Sequence, residues 1–269
     1  TCRKMQKKEE KVYSALLVII YLAFISLGLP DTLLGSAWPQ MHIELNASLS
    51  SAGIITMIIS MGTVISSLFS DRLNIKLGTG KVSVLMTAVA LLGFSLSHSF
   101  IILCVLAVPY GLGAGAVDAA LNNYVALHYS SKHMSWLHCF WGVGASIGPY
   151  IIGTCMAHGL GWRGGYSVIS VIQFTLTAAL FITLPLWKKV ENSENNVSNG
   201  SNERTQEEPQ ERKAKSLSEV LHIKGVIYIL FAFFCYSAVE QTTTLWCASY
   251  LVLNRSIDSN TAAKFAALF

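Results

Sequence analysis

The feature that most constrains this chain is a series of long apolar runs joined by short polar segments. Each run is about 20 residues long, which is the length a helix needs to cross roughly 30 Å of hydrocarbon. The runs cover 12–36, 50–70, 82–98, 100–127, 134–158, 162–187 and 225–253, and residues 259–269 open an eighth. The sequence therefore predicts an all-α transmembrane protein.

Composition agrees with this class, because 52% of the residues are hydrophobic and only 13% are charged. The basic residues lie between the apolar runs and form no patch interleaved with aromatic side chains, so nucleic acid is not predicted as a partner. The sequence has no phosphate-binding loop, no catalytic serine motif and no metal-ligand spacing. We expect a protein of the lipid bilayer that is not an enzyme and needs no cofactor or metal.

The distribution of lysine and arginine predicts the orientation. With a cytoplasmic N-terminus, most of the 19 basic residues fall in inner segments, and the outer loops hold only Arg163 and Arg255. The positive-inside rule then predicts a multi-pass protein of the cell membrane with its N-terminus in the cytoplasm, and it argues against a seven-helix receptor. Trp38, Trp162 and Trp187 at the run ends are expected to anchor at the membrane interface.

The spacing of the runs predicts the domain organisation. Residues 12–187 form a six-helix bundle of two three-helix repeats, 188–222 a polar cytoplasmic linker, and 223–269 the first one or two helices of a second bundle. This is the plan of a two-bundle carrier, and such a chain is expected to continue for about four or five more spans.

Three acids lie inside the complete apolar runs, namely Asp31, Asp118 and Glu240. An ionised carboxylate at the centre of a membrane helix costs about 2.5–3.5 kcal/mol on insertion scales, so each acid needs a reason to be there. The acids fall on runs one, four and seven, the first helix of each three-helix repeat, and in such carriers these helices line the central cavity. We therefore predict that all three acids face one cavity.

No lysine or arginine lies in the interior of the first six runs. A carboxyl group without a cationic partner in hydrocarbon tends to hold its proton. Proton binding and release at Asp31 or Asp118 is the chemistry that this suggests, although the same acids could instead bind sodium or a cationic substrate.

Local spacing adds further candidates. Gly111, Gly115, Asp118 and Asn122 follow i, i+4, i+7 and i+11 and so share one helical face, with the two glycines read as a helix-packing seam. Asp31 follows Pro30, which predicts a bend in the first helix. The other candidates for the substrate cavity are polar or aromatic residues of runs five and seven. They are His138, Trp141, Glu240 and Gln241, with interior packing as the alternative for His138 and Trp141.

Two groups of motifs carry a family resemblance. The segment 70–81, with Asp71 and Arg72 followed by glycines and a lysine, resembles the signature loop of the major facilitator superfamily. This resemblance implies that Asp71 and Arg72 form a gating or packing pair at the cytoplasmic mouth. Within the superfamily, segments 29–34, 111–118 and 138–149 resemble the fucose permease group of proton–sugar symporters.

The second resemblance implies that Asp31 and Asp118 are a pair of proton-coupling acids. His138 and Trp141 depart from the pattern of that group, which has an amide and a polar sugar-contacting side chain at these places, so fucose itself is not predicted as the substrate.

Together these observations predict a secondary active transporter that moves a small polar solute, a sugar or a related compound, by alternating access coupled to protons. Two alternatives remain open at this point. One is a proton-coupled antiporter that exports a cationic or lipophilic compound, and the other is a membrane sensor or scaffold that does not transport.

Overall fold

The computed structural model describes residues 2–73, 79–183 and 217–268. Within these residues every regular element is a helix, which confirms the predicted all-α class. In chain order they are α1 (Cys2–Asp31), α2 (Leu33–Glu44), α3 (Ser51–Leu73), α4 (Thr79–Leu96), α5 (Phe100–His128), α6 (Ser131–Ala157), α7 (Gly161–Ile182), α8 (Leu217–Leu221), α9 (Val226–Arg255) and α10 (Ser259–Ala266).

Six stretches of the described helices are long and apolar enough to cross a membrane. They are Tyr13–Glu44, Ser51–Leu68, Phe100–His128, Ser131–Ala157, Gly161–Ile182 and Val226–Arg255, and α4 adds the shorter apolar stretch Val82–Leu96. Within the described residues, each of the seven complete apolar runs is therefore mainly helical, and the eighth begins as α10. The predicted linker at 188–222 lies mostly outside the described residues, which resume with α8.

The first span is a broken helix. Its first part, α1, ends at Asp31, and its second part, α2, begins at Leu33. Pro30 has no backbone N–H to continue the helical ladder, and the Thr32 hydroxyl donates to the Ala145 carbonyl oxygen at 2.8 Å. The predicted bend at Asp31 is confirmed.

The first span also continues to Glu44, beyond the predicted end at residue 36. Gln40 and His42 lower the hydropathy of this stretch, although almost every residue from Leu33 to Met41 is buried. The reason is that α2 packs against α6, α9 and α10, so its surroundings are protein.

Helix pairing follows the predicted repeat. The most extensive pairings are α3 with α5 and α1 with α6. In a three-helix repeat, span one is equivalent to span four, and span two is equivalent to span five. The pairing of span one with span five is therefore the counterpart of the pairing of span four with span two. The third helix of each repeat, α4 and α7, also pack on one another. The six spans therefore form a bundle of two related halves.

Glycines allow these two pairings to be close. A Cβ atom placed on Gly111 would meet the Ile59 carbonyl oxygen of α3, and one placed on Gly115 would lie 2.5 Å from the Thr63 carbonyl oxygen. The Thr63 hydroxyl also donates to the Gly111 carbonyl oxygen at 3.3 Å. Gly28 and Gly144 make the matching backbone approach between α1 and α6. The interpretation of Gly111 and Gly115 as a packing seam is confirmed.

Two tryptophans correct the sequence-based expectation. Trp38 and Trp162 are fully buried, and the Trp38 indole N–H donates to the Leu49 carbonyl oxygen at 2.7 Å. The prediction that these two side chains anchor at the membrane interface is therefore wrong, because both belong to the hydrophobic core. Trp187 lies outside the described residues.

The helices after the linker contact the six-helix bundle chiefly at one end. There α9 packs on α2, where Gly35 meets the Thr244 carbonyl oxygen, and α10 packs on α6, where a Cβ atom on Gly153 would lie 2.6 Å from the Asn260 carbonyl oxygen. We call this the closed end. It contains α2, the C-terminal part of α6 and the connection from α9 to α10.

The α3–α5 seam leads to a test of the fold. Gly111→Ala should destabilise the protein by about 1–3 kcal/mol, because the new methyl group meets backbone atoms that cannot move aside. Gly53→Ala is the matched control, since nothing lies within 4 Å of a Cβ atom at that position. Thermal unfolding of the purified full-length protein in detergent would measure both. Equal melting temperatures for the two variants would contradict the seam.

Candidate functional site: the central cavity

A cavity of about 800 Å³ lies between the six-helix bundle and α9. Its wall includes residues from each of the seven complete spans. They are Phe24, Leu27, Pro30, Asp31, Leu34 and Gly35 of span one, Thr56, Ile59, Ser60, Thr63 and Val64 of span two, Leu91 and Phe94 of span three, Tyr110, Ala114 and Asp118 of span four, His138, Trp141 and Gly142 of span five, Tyr166 of span six, and Phe233, Tyr236, Glu240, Gln241, Thr244 and Leu245 of span seven.

The three intramembrane acids line this one cavity. Asp31 is exposed to it, and Asp118 and Glu240 are half-buried in its wall. Their helices, α1, α5 and α9, are the first members of successive repeats, and the fold brings these helices to the same central space. The acids therefore meet a common solvent-accessible volume in the middle of the protein.

Asp31 is held by two donors from the second repeat. The Tyr110 hydroxyl of α5 donates to Asp31 Oδ1 at 3.1 Å, and the Trp141 indole N–H of α6 donates to Asp31 Oδ2 at 2.9 Å. Each carboxylate oxygen thus has its own donor. The helix is interrupted between Pro30 and Leu33. Asp31 is the last residue of α1, and its side chain reaches both partners.

Asp118 has a different set of neighbours. The Asn122 side-chain amide donates to Asp118 Oδ1 at 3.0 Å and to the Asp118 carbonyl oxygen at the same distance. Across the cavity, Asp118 lies within electrostatic range of the His138 imidazole and of Asp31. Its only hydrogen-bonded side chain among the described contacts is thus on its own helix, which leaves the carboxyl group facing the cavity.

The cavity-facing stripe of α5 differs from the predicted one. It runs through Tyr110, Ala114 and Asp118, which follow i, i+4 and i+8. Asn122 is not among the lining residues, but its amide donates to Asp118 Oδ1 at 3.0 Å. Its place in the substrate cavity stays a prediction.

The remaining predicted cavity residues do reach the wall. His138 is exposed to the cavity, and its ring meets the Phe24 ring edge to face with centroids 6.2 Å apart. Glu240 and Gln241 line the cavity from α9 together with Tyr236 and Thr244. The roles assigned to these residues stay predictions.

The chemistry of the wall is acidic and aromatic. Among the described residues that line the cavity, none is lysine or arginine, and His138 is the one side chain that can become a cation. Hydroxyl and amide groups come from Ser60, Thr63 and Gln241. Seven aromatic rings complete the wall, from Phe24, Phe94, Tyr110, Trp141, Tyr166, Phe233 and Tyr236. Such a site can exchange protons, accept hydrogen bonds from hydroxyl groups and stack against a ring.

Comparison with known proteins identifies the family. The model of the Major Facilitator Superfamily matches residues 20–269, which is most of the chain. The chain belongs to this superfamily. It is therefore a multi-pass membrane protein, and the superfamily is one of transporters rather than enzymes.

Similar curated proteins agree with the family. The chain is 24% identical over 251 residues to the "Hexuronate transporter" of Bacillus subtilis, an alignment that covers 90% of this chain and 57% of the relative. It is 22% identical over 266 residues to "Bypass of stop codon protein 6" of Saccharomyces cerevisiae, covering 92% and 52%. It is 24% identical over 168 residues to "Synaptic vesicle glycoprotein 2C" of Rattus norvegicus, covering 60% and 23%. The chain thus spans about half the length of the first two relatives.

The signature segment of the superfamily is partly described. The backbone of Asp71 and Arg72 is helical and forms the last turn of α3, which ends at Leu73. The loop therefore begins later than predicted, and its residues 74–78 lie outside the described residues. The gating role of Asp71 and Arg72 stays a prediction.

Tyr110 is the site residue that the sequence reasoning missed. It lies next to Pro109 in an apolar run and is only 4% exposed, which is the pattern of an ordinary core aromatic. The available signal was its spacing of two i+4 steps before Asp118, which places it on the acidic face of α5. Its partner Asp31 lies 79 residues earlier in the chain, so no local pattern could connect the two.

The Tyr110–Asp31 hydrogen bond is open to a double-mutant cycle. Tyr110→Phe should lower stability by about 0.6–1.7 kcal/mol, the range of interhelical hydrogen bonds in membrane proteins. The loss should be smaller in an Asp31→Asn background, because the acceptor is then no longer a carboxylate. Tyr150→Phe, at a tyrosine that is 58% exposed on α6, is the matched control. Additive losses for Tyr110 and Asp31 would show that the bond contributes nothing.

Proposed function

We propose that the protein is a proton-coupled secondary active transporter for a small polar solute without negative charge, a sugar or a related compound. Transport proceeds by alternating access, in which the two bundles rock about the central cavity. We further propose that the protein lies in the cell membrane with its N-terminus in the cytoplasm, as its lysine and arginine distribution indicates.

The observation that carries this proposal is the meeting of Asp31, Asp118 and Glu240 in one cavity whose described lining includes no lysine or arginine. Carboxyl groups at this depth are costly, and they are found in membrane proteins chiefly on ion and substrate pathways. A group that gains and loses a proton as the cavity opens to either side converts a proton gradient into solute movement.

Asp31 and Asp118 are proposed as the coupling pair, in keeping with the resemblance of their segments to the fucose permease group. Asp118 is the member whose carboxyl group has the fewer partners from other helices, since its hydrogen-bond donor is Asn122 of the same helix. The nearby His138 imidazole is suited to pass a proton to it or to contact a solute hydroxyl group.

The charge of the wall supports a solute without a carboxylate. One relative is named a hexuronate transporter, and a hexuronate carries one negative charge. Among the described lining residues such an anion would meet three carboxyl groups, with His138 as the one possible counter-charge. Uncharged sugars avoid this repulsion, and they can use Asp31, Gln241 and the hydroxyl groups as hydrogen-bond partners and an aromatic ring such as Trp141 for stacking.

The packing of the closed end supports alternating access. There the backbones of α2 and α9 touch at Gly35 and Thr244, and α6 and α10 touch at Gly153 and Asn260. A close backbone contact between the first bundle and the helices after the linker is what alternating access requires on the sealed side of the cavity.

A second candidate function is proton-coupled export of an organic cation. It is favoured by the combination of three acids with seven aromatic rings, since aromatic faces attract cations. Flux measurements distinguish the two functions by the direction of movement relative to protons.

The first test of the proposed function uses the full-length protein in proteoliposomes with an imposed pH gradient and a panel of radiolabelled uncharged sugars. A sugar that accumulates in the unmodified protein should fail to do so in Asp118→Asn, because the proton is no longer bound and released. Exchange of the sugar across the membrane without a gradient should persist. Asp258→Asn is the matched control, since Asp258 lies outside the cavity as the N-cap of α10 and asparagine also caps helices.

Other outcomes of this measurement decide between the functions. Proton-driven efflux of organic cations with no sugar uptake would favour the antiporter. Binding without gradient-dependent flux of any solute would favour the sensor or scaffold. Full accumulation by Asp118→Asn would remove Asp118 from the coupling mechanism.

The second test concerns solute charge. A hexuronate should compete for the transported sugar about tenfold more weakly than the corresponding uncharged hexose, because of repulsion by the cavity carboxylates. The difference should narrow in Asp118→Asn, which removes one negative charge. Competition by the hexuronate that equals or exceeds that of the hexose would contradict the proposed substrate class.

A further inference from the structure

A polar cluster outside the cavity ties together three helix ends. Arg163, in the first turn of α7, forms an ion pair with Glu44, the last residue of α2. Its Nε and Nη2 atoms donate to the Ser97 carbonyl oxygen just after α4, at 3.3 Å and 3.1 Å. The guanidinium also stacks on the ring of buried Trp162, 4.3 Å from the centroid, and the Trp162 N–H donates to the same Glu44 oxygen at 3.0 Å.

The two charges of this cluster lie at helix ends that do not suit them. Glu44 places a negative charge at the C-terminus of α2, and Arg163 places a positive charge near the N-terminus of α7. The helix dipole disfavours both positions. The contacts within the cluster therefore offset an unfavourable interaction of each charge with its own helix.

The helix that this pair holds is the second half of the broken first span. At one end, α2 follows the break at Thr32 and the cavity acid Asp31. Along its length Gly35 packs on the backbone of α9 at the closed end, and its other end is Glu44. Because the helix is interrupted at Thr32, the direction of α2 depends on its contacts with neighbouring helices as well as on backbone hydrogen bonds.

We propose that Glu44, Arg163 and Trp162 form a clamp that positions α2 against α9 and so sets how firmly the closed end is sealed. Arg163 and Glu44 are 30% and 35% exposed, and an isolated ion pair at such a site contributes little to stability. The clamp acts through geometry, since one guanidinium joins the ends of spans one, three and six at a single point. The inference rests on the alternating-access part of the proposed function.

The test measures closure directly and needs no knowledge of the solute. Leu245, which lines the cavity and packs on Gly35, is replaced by cysteine in a full-length background without the native cysteines. A membrane-impermeant maleimide is then added from the side that faces the closed end. Arg163→Gln and Glu44→Gln should each raise the labelling rate about fivefold or more, the usual scale of a conformational coupling. Lys132→Gln, at an exposed lysine in the first turn of α6 and away from the closed end, is the matched control and should leave the rate unchanged.

A charge reversal separates positioning from general loss of stability. Glu44→Arg combined with Arg163→Glu restores an ion pair and places each charge at the helix end that the dipole favours. Its labelling rate should lie closer to that of the unmodified protein than the rate of either single variant. Where a single variant does not fold, the reversal and the other single variant still give a comparison.

Two results would overturn the clamp. The first is an unchanged labelling rate in the single variants together with a lower melting temperature, which would leave a purely structural ion pair. The second is a reversed pair that labels as fast as the single variants. Failure of the proposed function is a separate outcome, because the labelling shift would then persist in a protein that moves no tested solute.

Discussion

The hydrogen bonds of Asp31 to Tyr110 and Trp141 join the two halves of the six-helix bundle part-way along the first span. A carboxylate there is tolerated only where polar partners replace water. The partners come from α5 and α6, the first two helices of the second repeat, so these two hydrogen bonds form only when both repeats are assembled around Asp31. The glycine contacts between α1 and α6 then determine how near those donors come, since Gly28 meets the Trp141 carbonyl oxygen itself. The close packing of α1 on α6 and the hydrogen bond from Trp141 to Asp31 therefore depend on each other.

Much of the fold could be predicted because the length and hydropathy of a segment identify a membrane-spanning helix. The predictions that were wrong concern residues whose surroundings are protein and not lipid. The apolar run predicts an end of the first span at residue 36, yet the span continues to Glu44 because α2 is buried against α6, α9 and α10. The position of Trp38 at the end of a run predicts an interfacial side chain, although Trp38 lies in the core. Hydropathy describes the average cost of entering lipid, and it is a poor guide to a helix that is mostly surrounded by protein.

Some residues of the site could be predicted from the sequence and others could not. Asp31, Asp118 and Glu240 could be found because an acid in an apolar run is rare and because the repeat places spans one, four and seven together. The cavity-facing residues of α5 are harder to predict. In a helix of 3.6 residues per turn, residues four and seven positions away from Asp118 both lie on nearly the same side as Asp118. Only the α3 contact decides that Gly111 and Gly115 face away from the cavity while Tyr110 and Ala114 face it. Tyr110 itself carries no sequence signal beyond this stripe.

The broken first span connects the cavity to the closed end. Asp31 ends α1 with its carboxylate bound by the second repeat, and Thr32 is tied to the Ala145 carbonyl oxygen of α6. Beyond the break, α2 begins beside these contacts and ends at Glu44, which Arg163 holds. A change in the charge of Asp31 would alter its bonds to Tyr110 and Trp141 at the very start of α2, while the far end stays fixed. A helix held at one end and perturbed at the other responds by pivoting, and the surface that would move in such a pivot is the one that carries Gly35 against α9. The interrupted helix therefore connects the Asp31 carboxyl group in the cavity to the α2–α9 contact at the closed end, and this is the route that the proposed proton coupling would use.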